Sequence, residues 1–340
     1  MERRTFLQVM GAAAVGGVLT NTGHAWARPV RRPRSSGTEK IILVQNAWTA
    51  SALNVAIAKK LIEDNLGNEV ELTSIDENTM FSGLAAGDLD ACLEVWPSGV
   101  TADEQSYVDD GTVVEIGALG AVGRIGWYVP AYVQEQYPET KTWEGFKDPE
   151  LCKLFASAET GDLGRFLGTD PSYAQYDEAI IANLELSLQV VFSGSEAATV
   201  AALDSAVASE SPIIMYWWVP TAAAAKYDLV PVELPEYTDE CYADPAQIAC
   251  AYPEDVLIKI GSGALADKDP AVSNFLAWFT MTNEDQLALL PSVEIDGEDA
   301  ADVAGRWVEA NEDTWSEWLQ EGPPPSSATG TTEVTETTSA

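Results

Sequence analysis

The chain has 340 residues, 46% of them hydrophobic, enough for two lobes with ordinary cores rather than one small domain. It carries 54 acidic against 18 basic residues, a formal charge of −36, which makes nucleic acid and anionic membrane surfaces poor partners. Its one histidine, His24, falls in a targeting segment. The rest of the chain therefore lacks the residue for histidine triads, histidine general bases and histidine metal ligands, and no cofactor or metal is expected.

The N-terminus reads as an export signal. Arg3-Arg4-Thr5-Phe6-Leu7 is a twin-arginine pattern, Val9 to Leu19 is a weakly apolar run, and Ala25-Trp26-Ala27 has the small-x-small form of a cleavage site. The apolar run is roughly half the length of a bilayer span. Residues 1–27 are thus expected to be removed on export by the twin-arginine route, leaving a periplasmic or extracellular chain. Residues 28–38 read as a disordered basic linker and 321–340 as a disordered Ser/Thr-rich tail. So acidic a body suits a salt-loving microbe, where screening relieves carboxylate repulsion.

Ile41 to Val44 reads as a buried strand, and Ala52 to Leu66 as a helix with Leu53, Ala56, Ile57 and Leu61 at helical spacing. Val70 to Ile75 alternates as a second strand, Phe81 to Ala86 is a short helix ended by Gly87, and Ala91 to Val95 is a third strand. This order predicts a parallel sheet with crossover helices. In the middle, Glu178 to Val191 and Thr199 to Glu210 read as helices and Ile213 to Trp217 as a strand. Beyond them come a strand, Val256 to Ile260, and helices Ala271 to Met281, Glu284 to Leu290 and Ala300 to Leu319. The pattern predicts an α/β fold of two lobes, 39–128 with 235–320 and 129–234, joined by a hinge around a cleft. Cys241 and Cys250, nine residues apart in a loop, are expected to form a disulfide, and Cys92 and Cys152 to be buried thiols.

Tryptophan placement carries the functional signal. Trp48 follows the first strand, Trp96 the third, and Trp218 the middle-lobe strand, each where a parallel sheet presents ligand contacts. Trp127-Tyr128 lies at the first crossover. Converging indoles make an aromatic box, and a methylated ammonium, having no N–H to donate, is held by ring faces. Trp278, Trp307, Trp315 and Trp318 instead sit on amphipathic helices and are expected in the core, Trp143 is expected to staple a helix start, and Trp217 alternates away from Trp218.

The stretches GLAAGDLDACLEVWPSG, GFKDPELCKLF, PIIMYWWVP and ANEDTWSEWL resemble the glycine betaine/proline/choline-binding proteins of ABC transporters, a likeness that spans most of 40–320. The resemblance implies a periplasmic-binding-protein-like fold, an aromatic cage at the cleft, no enzyme activity, an ABC permease as partner and a monomer. By motif position Trp96 and Trp218 resemble cage residues, Trp48 the first-loop aromatic of choline-type members, and Trp127 or Tyr128 a further wall. Tyr173 falls where many members carry Trp. Choline-type members tend to place an acid two residues after the first Trp; Ala50 stands there, which favours a carboxylate-bearing betaine. Ser51, Asn46, the amides after Trp48, Arg124 and Arg165 are the candidate partners of that carboxylate. The rival readings are a carbohydrate-binding protein and a carboxylate-dependent glycosidase. Ring geometry separates the first of these from an ammonium box: a sugar platform needs parallel rings, a box needs rings facing one point.

Overall fold

The computed structural model describes residues 39–322 and 324. The twin-arginine segment, the linker, and residues 323 and 325–340 of the tail lie outside the described residues. Among the described residues no helix is long and apolar enough to cross a membrane.

The strands are β1 (Ile41–Gln45), β2 (Val70–Ser74), β3 (Ala91–Val95), β4 (Val113–Pro130), β5 (Gly164–Gly168), β6 (Leu188–Phe192), β7 (Ile214–Val219), β8 (Leu229–Pro231) and β9 (Glu254–Ser262). The first three are parallel, with β1 between β2 and β3, as the alternation with α1 (Thr49–Leu61) and α2 (Glu77–Ala86) predicts. In the second half, β5 lies parallel between β6 and β7. The hydrogen-bonded order is β2-β1-β3-β9-β4-β7-β5-β6. Two α/β lobes thus share one path of strands.

The spine of that path is β4. Residues from Val113 to Arg124 pair with β9, and those from Arg124 to Tyr128 pair with β7, so one strand serves both halves. Sequence patterning does not anticipate it, because VVEIGALGAVGRIGWYVP places glycine at short intervals and glycine weakens a strand. Here the left-handed conformations of Gly117 and Gly120 lie at the two register shifts against β9, which lets a long strand bend without breaking.

Two helix expectations need correction. The stretch 178–191 is a helix only over Asp177–Asn183 and then becomes β6, whose Leu-Gln-Val-Val-Phe run pairs beside β5. β-Branched residues in a strand slot override the helical spacing. The stretch 300–319 breaks at Asn311 into Ala300–Ala310, Glu312–Trp315 and a final 3₁₀ turn. That break folds Trp318 back to stack on Trp307, centroids 5.8 Å apart, and against Phe279 at 4.9 Å. The C-terminal tryptophans pack in or against the core, and the sulfurs of Cys241 and Cys250 are bonded.

Candidate functional site

Trp48 sits in extended backbone at the start of α1, Trp96 directly follows β3, and Trp218 lies near the end of β7. Strand ends from both halves thus bring these indoles to one cavity. Tyr173 and Ala174, in the loop after β5, line it together with Ile125 of β4 and Gly99, which packs against Ala174. Gly123 explains how Trp96 fits: a Cβ there would overlap the indole ring, so only glycine lets Trp96 lie flat on β4.

The rings meet edge to face. Tyr173 stands at 89° to Trp48, centroids 5.4 Å apart, and at 81° to Trp218, centroids 5.8 Å apart. The Tyr173 hydroxyl donates to the carbonyl of Ala47 at 2.7 Å, which ties the loop after β5 to the loop after β1 and fixes the ring angle.

Three carboxyl groups lie beside these rings. Glu94 of β3, 1% exposed, accepts from the indole N–H of Trp48 at 2.7 Å, the indole N–H of Trp96 at 3.3 Å and the amide of Asn54 at 2.7 Å. Burial pushes its carboxyl up to about 7 against those hydrogen bonds. Glu77, at the start of α2, lines the cavity itself and accepts from the backbone N–H of Ala174 at 3.1 Å; burial raises it also to about 7. Glu196, on the helix Glu196–Ala208, reaches from the second half to the backbone N–H and hydroxyl of Thr49 at 2.9 and 2.8 Å. Burial raises its carboxyl as well.

Several expected site residues lie elsewhere. Trp127 shares a strand face with Ile125, but two residues further along β4 it is fully buried, with its indole N–H on Asp177 at 2.6 Å and its ring 4.7 Å from Phe166. Tyr128 points to the opposite face and is buried beside Gly126; neither ring lines the cavity. Ser51 and Asn46 bond each other: the Ser51 hydroxyl donates to the Asn46 side-chain carbonyl and accepts from the Asn46 backbone N–H, both at 3.0 Å. They shape the turn that presents Trp48. The first amide after Trp48 is taken by Glu196. Arg124 pairs with Glu254 at the surface, and no arginine or lysine lines the cavity.

Over residues 39–310 the sequence matches the family described as "Substrate binding domain of ABC-type glycine betaine transport system". The chain belongs to that family. Its members are binding proteins rather than enzymes. A trimethylamine N-oxide-binding protein of Pelagibacter ubique (strain HTCC1062) is 23% identical over 283 residues, covering 81% of this chain and 89% of that protein. Lactococcal OpuAC, closed around glycine betaine, superposes with a TM-score of 0.65 at 19% identity, covering 83% of this chain and 100% of that one. An ABC-transporter choline-binding protein in complex with choline gives 0.66 at 19% identity, covering 82% and 91%. At these identities the likeness to solved structures is one of fold.

Family motifs pointed to the indoles but not to the carboxyl groups around them. Glu94 had a visible signal: one acid within ACLEV, a strand with every residue buried. An acid in such a strand needs partners, and Trp96, two residues on, is the nearest side-chain N–H donor in sequence. Glu77 stands in the run Asp76-Glu77-Asn78, where no local pattern separates a cavity carboxyl from a helix-start carboxyl. Glu196 binds Thr49 across 147 positions, a contact that only the folded chain shows.

Proposed function

We propose that this chain is an extracytoplasmic solute-binding protein that captures a quaternary ammonium compatible solute and delivers it, as a monomer, to an ABC permease. The observation that carries this is that Tyr173 meets both Trp48 and Trp218 edge to face about one cavity, with Trp96 as a further wall. Such a box surrounds a methylated cation with ring faces, each contributing about 0.5–2 kcal/mol. A sugar would favour parallel rings, and the cavity lining is mostly apolar.

Membership in the glycine betaine family and the names of the similar proteins support a ligand with methyl groups on a cationic nitrogen. We assign 39–128 with 235–320 to one lobe and 129–234 to the other; the two-sided pairing of β4 supports a division near its C-terminal end. Export by the twin-arginine route rests on residues 3–7, and a high-salt habitat on the charge of −36.

Calorimetric titration in high salt with glycine betaine, choline, trimethylamine N-oxide and maltose tests the reading. The expected result is binding of one or more of the methylated amines and none of maltose. Maltose binding without any amine would overturn it.

A further inference from the structure

Glu94 does not line the cavity, yet it touches two of the indoles that do. Both of its oxygens are engaged by N–H donors: one by Trp48 and Trp96, the other by Asn54. That is how an ionised carboxylate is held. The charged and titratable groups that face it are Glu196 from the opposite half, Cys92 from its own strand, and Tyr173 from the loop after β5; Glu77 of α2 lies nearby, facing Cys92 and Tyr173. Each is anionic or neutral, and among the described residues no lysine or arginine pairs with Glu94.

We propose that Glu94 is the remote counter-ion of the bound ammonium. From the N–H edges of Trp48 and Trp96 it orients both rings and makes the box select for a full positive charge as well as for shape. This rests on the ammonium reading given above. Two physical effects act together. The carboxylate, held at the N–H edges of both indoles, attracts a cation that rests on their faces, through a medium that screens little. An indole N–H donating to a carboxylate also gains electron density on its ring, which strengthens the negative face that a cation meets. Burial already pushes the Glu94 carboxyl up to about 7, and a cation in the box opposes that shift. Glu94 is thus a positioning and charge-selecting residue that never touches the ligand.

Glu94→Gln separates charge from geometry. The glutamine carbonyl still accepts from both indoles. Its amide donates to the side-chain carbonyl of Asn54, which has no partner in the structure, once the Asn54 amide turns over. Affinity is measured at pH 8 for choline and for its uncharged carbon isostere, 3,3-dimethylbutan-1-ol. The expected result is that Glu94→Gln weakens choline by about 10- to 100-fold and the neutral alcohol by less than about threefold. Equal losses for both ligands, or no loss for either, would overturn the counter-ion role while leaving the ammonium reading in place. Failure of the parent protein to bind either ligand or any other methylated ammonium would overturn both.

If Glu94→Gln does not fold, the parent protein still decides. The indole N–H resonances of Trp48 and Trp96, assigned through Trp→Phe variants, should titrate near pH 7 without ligand. With saturating choline that titration should move to lower pH. The same titration midpoint with and without choline would overturn the proposal.

Discussion

The carboxylate of Glu196 accepts from both the backbone N–H and the hydroxyl of Thr49, at 2.9 and 2.8 Å. Thr49 opens α1, and Trp48, at its N-cap, offers no side-chain cap. The cap comes instead from a helix in the other half, so one contact satisfies a helix start and draws the halves together over the box. Tyr173 to Ala47 and Ala174 to Glu77 run across the same cleft. Glu196→Ala should therefore weaken ligand binding by about 1–3 kcal/mol, because closing no longer recovers those hydrogen bonds. Calorimetry measures the affinity, and small-angle scattering of the saturated protein should show a larger radius of gyration than the parent. Unchanged affinity and radius would show that Glu196 caps α1 without clamping the cleft.

The box and the buried tryptophan beside it make opposite predictions. Trp96→Ala or Trp218→Ala should cost about 1–3 kcal/mol of ligand binding, from lost ring attraction and apolar contact. Trp127→Phe should leave the affinity of the folded protein nearly unchanged and lower its melting temperature, because the buried Asp177 carboxyl loses its 2.6 Å bond from Trp127 and keeps only the Tyr252 hydroxyl at 3.2 Å. Parent-like binding by both alanine variants would remove the box from the mechanism.

What the sequence made legible follows from how local each cause is. The β-α-β-α-β opening reads correctly because each element satisfies its own period, and Trp48, Trp96 and Trp218 could be placed at strand ends without knowing the partners of those strands. Trp127 misled because its position in β4 is decided by how far that strand penetrates the second half, and the glycines of β4 hid the strand itself. The carboxylate donors assigned to Ser51 and the first α1 amide were sound as chemistry, but other protein groups occupy them, while the Asn46 side chain is buried and does not line the cavity. Groups whose role depends on partners far along the chain, such as Glu94 with Asn54 and Glu196 with Thr49, have no period to betray them.

Glu77 should make ligand choice depend on pH. Its carboxyl lines the cavity, no cationic side chain does, and burial holds it near 7. Above that value an ionised Glu77 repels a ligand carboxylate and favours a hydroxyl donor. Below it, the protonated group donates to a carboxylate. The affinity of glycine betaine relative to choline should thus rise as pH falls from about 8 to 5.5. Taking the ratio cancels what Glu94 does to both cations alike. Glu77→Gln should flatten it, and a pH-independent ratio in the parent would show that Glu77 does not face the ligand's polar end.

Stability should pass through a minimum near neutrality. Burial raises Glu77, Glu94 and Asp177 to about 7 and Glu294 to about 8. In the unfolded chain such groups titrate near 4. Between those values the folded state holds protons that the unfolded state has lost, so the stability they confer is complete in acid and drains away as pH rises through 7 to 8. Lys259 works in the other direction. It is fully buried, donates to the carbonyls of Leu276, Ala277 and Phe279 at the end of the helix Pro270–Trp278, and is pushed by burial down to about 7. From about 7 to 10 the unfolded state binds the extra proton, so stability climbs again with pH. Thermal melts at pH 5, 7.5 and 9.5, all in about 2 M salt to screen the surface carboxylates, should give the lowest midpoint at 7.5. Glu294→Gln should flatten the acid limb and Lys259→Met the alkaline one. A midpoint that rose steadily from pH 5 to 7.5 would show that the buried carboxyl groups stay ionised, held so by their hydrogen-bond donors.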